Sequence, residues 1–217
     1  MKKRKIGTRG IMMITTMSIM IAAVIITAVI GMIGVRTTNN IGIKNYKDTM
    51  TDGYNTEIKT QVESAISIVS HYYNLSQDDK LSEEEAKEQA LEVIRNMRYG
   101  TDYDKDGVND GYFWIDDTDY NLVMHPILSK QEGTNRKQLK GQNGVLILQN
   151  IMKKANNGGG FNEFYFTKSD GTTVAPKIAY SEKFEPWNWV ITTGNYVDDM
   201  RSQVKDTSQA MNIVIRN

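Results

Sequence analysis

The chain has no cysteine, only two histidines and only three prolines. Without cysteine there can be no disulfide, no thiolate metal site and no cysteine nucleophile. A metal site built on His71 and His125 would need carboxylates to complete it. The prolines stand at 126, 176 and 186, so none breaks a helix anywhere in residues 1–125. Acid is missing from the start of the chain, where the first carboxylate is Asp48. A basic surplus is missing overall, with 26 Lys and Arg against 26 Asp and Glu, which argues against a nucleic-acid partner. Catalytic signatures are also lacking. There is no G-x-S-x-G, no phosphate-cradling loop before a lysine and no H-E-x-x-H. The Gly158–Gly160 run follows a helical pattern, not a strand, so it lacks the context of a dinucleotide loop. No enzyme is expected.

What is there is unevenly placed. Lys2, Lys3, Arg4, Lys5 and Arg9 crowd the first ten residues, leaving a mildly acidic body behind a basic tip. Between them, Ile11 to Val35 is uncharged and rich in Ile, Val, Met and Ala. As a helix this run is about 37 Å long, against a bilayer core of roughly 30 Å. A signal peptide fits less well, because its apolar region runs about 7–15 residues and ends at an A-x-A-like site. The Gly31-Met-Ile-Gly34 end has no such site. The expectation is a transmembrane helix over 11–35, a cytoplasmic tip over 1–10 and an extracytoplasmic body over 36–205 at the cell membrane.

Beyond Val35 the helical period continues. Tyr46, Met50, Tyr54, Ile58, Val62, Ile66, Val69 and Tyr73 form one apolar stripe, predicting a long helix to about Asn74. Ser82-Glu-Glu-Glu85 reads as a capping box opening a second helix, with Ala86, Ala90, Val93 and Met97 inward and Gly100 as its stop. Gly111–Ile115 and Asn121–His125 read as strands around a turn at Asp116–Asp119. A helix over 141–157, capped at Asn143, precedes three strands at 161–167, 173–181 and 187–196, the first pair turning at Ser169-Asp-Gly171. Helical character resumes from Val197. Hairpin-like strands beside helices predict an α+β domain with one antiparallel sheet.

Arg98-Tyr-Gly100, Gly111-Tyr-Phe-Trp-Ile115, Val123-Met-His-Pro126, Pro176-Lys-Ile-Ala-Tyr180 and Trp187 through Asp199 occur in order. Together they resemble the single Cache (sCache type 2) sensor domain of bacterial chemoreceptors and sensor kinases. The resemblance spans roughly 36–205. It implies a PAS-like five-stranded antiparallel sheet with a long N-terminal helix, a pocket for a small ligand, often a short carboxylate, and signalling through membrane helices. A homodimer through the long helix is the expected assembly. Residues 206–217, ending in Ile213-Val-Ile215 and Arg216, are too short to span a bilayer that needs about 20 residues. They read as the start toward a second span, and the chain as a fragment of a longer receptor or a truncated form of one.

A small carboxylate needs a few fixed donors in an apolar concavity. The resemblance assigns that role to Arg98, Tyr112, Trp114, His125, Lys177 and Tyr180. Strand alternation puts Tyr112 and Trp114 on one face, with Phe113 and Ile115 on the other. By the same rule Lys177 and Tyr180 cannot share a face unless a twist, a bulge near Pro176 or a loop intervenes. Each residue also has a plainer reading: Tyr112 and Trp114 as core, His125 as a strand end, Arg98 as the partner of a helix carboxylate. A last constellation departs from the family pattern. Asp102, Asp104, Asp106 and Asp110, with Gly107, match the opening of a calcium loop, hard oxygens at alternate positions before a turning glycine. Structural calcium is one expectation there and a solvated acidic turn the other. The functional expectation is a ligand-sensing chemoreceptor domain, with a sensor-kinase input domain or a calcium-stabilised surface or adhesion module as alternatives.

Overall fold

The structure is a computed structural model, describing residues 7–102, 107–168, 170 and 172–199. The chain divides into two compact units, residues 1–49 and 50–217. The first helix, α1 (Thr8–Gln77), begins in the first unit. There its apolar side chains from Ile11 to Val35 are exposed, and α1 is the one helix among the described residues long and apolar enough to cross a membrane.

In the second unit the apolar stripe of α1 is the core face. Tyr54, Ile58, Val62, Ala65 and Val69 are buried, and Ile66 and Tyr73 pack against the same cluster. The next helix, α2 (Glu83–Asn96), opens on the expected capping box. The Ser82 amide donates to Glu85 Oε2 at 2.9 Å, and the Glu85 amide donates to Ser82 Oγ at 3.2 Å. Its buried residues are Ala86, Ala90 and Ile94, a strict four-residue step, so Val93 is left exposed. The helix stops at Asn96 because Met97 is already extended, ahead of Gly100.

The five strands are β1 (Phe113–Asp117), β2 (Leu122–Met124), β3 (Gly160–Thr167), β4 (Val174–Phe184) and β5 (Trp189–Tyr196). They form one antiparallel sheet in the order β2-β1-β5-β4-β3. A third helix, α3 (Ile147–Ala155), lies between β2 and β3 in sequence. It starts later than the sequence suggested. Leu146 is its N-cap without a side-chain bond, and Asn143 instead accepts from the Val145 amide within the preceding turn. Its end is as expected, since Gly158 and Gly159 take φ of 85° and 94°, the left-handed region. Asp116 corrects another expectation. It belongs to β1 and is fully buried, because pairing with Val190 of β5 carries the strand past Ile115.

Strand alternation sorts the sheet into two faces. Phe113, Ile115, Ile178, Tyr180 and Ile191 join the cluster of α1 and α2. Tyr112, Trp114, Phe164, Ala179 and Val190 join α3 on the other side. The sheet is therefore sandwiched, and α3 leaves part of its face open. Ser169 and Gly171 of the predicted turn lie outside the described residues, as do Asp104, Asp106 and residues 200–217. Asp170, within that turn, accepts from the Thr172 and Thr173 amides at 2.8 Å each.

Candidate functional site

The open part of the α3-side face is a cavity, and Lys177 lines its narrow end. Register puts this lysine on β4 between two paired neighbours, opposite Phe164 on β3 and Tyr196 on β5. Its side chain is only 2% exposed. The ammonium donates to Tyr112 Oη at 2.9 Å and lies over three rings: Tyr112 at 4.4 Å, Tyr196 at 4.8 Å and Trp114 at 5.0 Å. Ring faces attract a cation, but a π cage replaces only part of its lost hydration. Among the described residues no carboxylate pairs with Lys177. A buried cation in that condition has an unfilled requirement for an anion.

His125 follows β2 and is also buried. Its ring stacks on Trp114 at 6.1 Å and packs beside Tyr112 at 5.3 Å. Its Nδ1 accepts from the Ile127 and Leu128 amides at 3.2 and 3.1 Å, so the neutral ring carries its proton on Nε2. Burial, then the charges of Lys177, Arg136 and Arg95, pull its pKa down to about 3. Across the physiological range His125 is a neutral donor. The loop holding it is braced from α2. Arg95 grips Glu132 through two bonds of 2.6 and 2.9 Å, and Glu132 in turn accepts from the His125 amide at 2.8 Å.

Arg136, in the segment between β2 and α3, gives the cavity a second cation. It is 7% exposed, and its Nε and Nη2 both donate to Asp116 Oδ1. Burial raises the Asp116 carboxyl to about 6, although Arg136 acts to lower it. The cavity itself has two chambers sharing Tyr112, His125, Arg136, Leu139 and Phe166. The inner one, of about 20 Å³, is closed by Ile147, Leu148, Ile151 and Phe164 and admits one methyl- or water-sized group. The outer one measures about 450 Å³.

Four of the six residues singled out from the sequence therefore converge: Tyr112, Trp114, His125 and Lys177. Two do not. Tyr180 sits on the helix face, three positions from Lys177, donates to Glu182 Oε2 at 3.2 Å and packs edge-on against Phe161. No bulge in the β3–β4–β5 register brings it round. Arg98 is exposed and spends its guanidinium on the Arg95 and Met97 carbonyls, each at 2.8 Å, where a cation satisfies the C-terminal end of α2. Arg136 and Asp116 were not foreseen. For the acidic loop, Asp102 accepts from the Gly107 amide at 2.9 Å, while Asp104 and Asp106 lie outside the described residues. Among the described residues no group of three or more His, Asp or Glu is placed to hold a metal.

A sheet backed by a long helix, with a cavity lined by buried cations on its other face, is an arrangement that can hold a small molecule. Residues 50–210 match the family Single Cache domain 2, and the chain belongs to that family. It is 29% identical over 152 residues to the methyl-accepting chemotaxis protein McpP of Pseudomonas putida, an alignment covering 68% of this chain and 26% of that protein. It is 26% identical over 174 residues to the sensor histidine kinase MctS of Rhizobium johnstonii, covering 80% and 35% respectively. The chain thus spans about a quarter to a third of these curated relatives. Among solved structures, a Cache chemosensory domain described for carboxylic acid recognition superposes with a TM-score of 0.62 at 25% identity, covering 69% of this chain and 97% of that one. The chain carries a Cache sensor domain of the kind found in chemotaxis proteins and sensor kinases.

Proposed function

We propose that the domain senses a short carboxylate bound against Lys177 and passes the event to the membrane through its helices. The observation that carries this is the buried ammonium with no carboxylate partner among the described residues. A ligand carboxylate with one oxygen in the inner chamber supplies the missing charge, the Nε2 proton of His125 and the Tyr112 hydroxyl supply hydrogen bonds, and the short alkyl group lies in the outer chamber. The chemosensory neighbour described for carboxylic acid recognition supports the same ligand class. Residues 11–35 anchor the chain in the cell membrane with its N-terminus cytoplasmic, and two copies pair through α1. One relative is a chemotaxis protein and the other a sensor histidine kinase, and a domain of this kind serves either output. A surface or adhesion module would have its sheet face filled by side chains, and a cavity of about 450 Å³ argues against it.

The test is titration calorimetry of the full chain in detergent micelles against short organic acids, amino acids and amines. Binding by an acid, abolished in Lys177→Met, is the expected result. The methionine fills the same space without a buried charge, so the variant should fold at least as stably as the parent. A chain that binds none of the compounds refutes the sensor reading.

A further inference from the structure

We propose that the hydrogen bond from Tyr99 to Thr193 couples occupancy of the cavity to α1, acting through the backbone of Tyr112. This rests on the ligand reading above and names the contact by which the occupied site reaches residues 50–77 of that helix.

The cavity and this part of α1 lie on opposite faces of the sheet, and one polar chain crosses between them at Tyr112. On the cavity side the Tyr112 hydroxyl accepts from the Lys177 ammonium at 2.9 Å. The Tyr112 carbonyl accepts from Thr193 Oγ1 at 2.6 Å, and that same oxygen lies 2.7 Å from the Tyr99 hydroxyl. A threonine hydroxyl has one proton. Thr193 gives it to the Tyr112 carbonyl, so Tyr99 is the donor in the second bond and the chain runs in a single direction. Tyr99 is 7% exposed and packs in the cluster that holds Tyr54 and Ile58 of α1. Burial raises its pKa more than the bond to Thr193 lowers it, and the Glu57 carboxylate of α1 adds to the rise, so the phenol keeps the proton it donates.

Nor can Tyr99 drift independently of Tyr112. It bridges Gly111, the residue before Tyr112, by backbone bonds of 3.2 and 3.0 Å. A Cβ at Gly111 would lie 2.8 Å from the Tyr99 ring carbons Cδ1 and Cε1, so only glycine permits this contact. An anion at Lys177 reverses the part played by the Tyr112 hydroxyl, from acceptor of the ammonium to donor to the ligand. The turn this asks of Tyr112 passes to its carbonyl, to Thr193 and to Tyr99, because a buried polar chain gives up none of its bonds cheaply.

The chain has no cysteine, so Thr56→Cys, exposed on α1 next to Glu57, carries a unique nitroxide label. The labelled full chain in detergent micelles is titrated with acetate and propionate, with binding read by calorimetry and α1 by the label's line shape at saturation. The parent should show a line-shape change. Tyr99→Phe leaves Thr193 bonded to Tyr112. It should shrink the change about fivefold or more with affinity equal or tighter, because uncoupled binding no longer works against α1. Thr193→Val removes both bonds and should abolish the change. A full response in either folded variant, or binding weakened about tenfold in Tyr99→Phe, overturns the proposal. A label that stays silent while the parent binds the acid overturns it without any variant and leaves the ligand reading in place. Failure of both acids to bind the parent overturns both.

Discussion

Replacing His125 by asparagine should change how stability responds to acid. Asparagine can still accept from the Ile127 and Leu128 amides, so the loop keeps its turn while the titrating ring is lost. In the native chain the imidazole pKa is pulled from its ordinary 6.5 down to about 3, first by burial and then by Lys177, Arg136 and Arg95. A depressed pKa means that the unfolded chain binds a proton, between about 6.5 and 3, that the native ring refuses. The stability contributed by keeping His125 neutral is whole above pH 6.5 and drains as pH falls through that window. The slope is about 1.4 kcal/mol per pH unit, so about 2 kcal/mol is lost between pH 6.5 and 5.

Asp116 works in the opposite sense. Its folded pKa is raised from 3.8 to about 6, so its contribution is present below 3.8 and lost as pH rises through 6. Between about pH 4 and 6 the two groups largely cancel in the wild type. In His125→Asn only the Asp116 dependence survives, and the variant gains on the wild type as the medium is acidified. The readout is urea unfolding followed by tryptophan fluorescence at pH 7, 6 and 5, in buffers free of carboxylates. Trp114, Trp187 and Trp189 all report on the sheet-bearing unit. The difference between wild type and variant should shrink by about 2 kcal/mol from pH 7 to 5. A constant difference would mean that the ring titrates as it does in water, and the buried-donor role would fall.

Glu132→Gln breaks the ion pair with Arg95 and weakens the acceptor of the His125 amide, so it should cost about 1 kcal/mol by urea unfolding and weaken carboxylate binding several-fold. Unaltered affinity would mean that the brace does not position His125. Ser82→Ala removes one arm of the capping box and should lower stability by about 1 kcal/mol without changing ligand affinity, measured on the same preparations. If Asp102, Asp104, Asp106 and Asp110 hold calcium, thermal unfolding should move upward in calcium relative to chelator, by about 2.7 kcal/mol at a hundredfold excess over the dissociation constant. Equal midpoints would make the loop a solvated acidic turn.

The limits of the sequence reading follow the same physics. The long helix, the capping box and the strands were legible because each leaves a local periodicity: four-residue steps from Tyr54 to Val62, a serine three residues before a glutamate, alternation through Tyr112–Trp114. Alternation also separated Lys177 from Tyr180, and the structure keeps them on opposite faces, so the strand rule was the better guide to Tyr180 than the family resemblance. Arg98 misled because an arginine just past a helix has two uses, a ligand or the helix's own carbonyls, and the nearer groups took it. Arg136 and Asp116 left no local trace. One lies in an irregular segment with no period, the other at the end of a strand where two aspartates in a row look like a solvated turn. Only tertiary pairing across twenty residues makes them a buried pair.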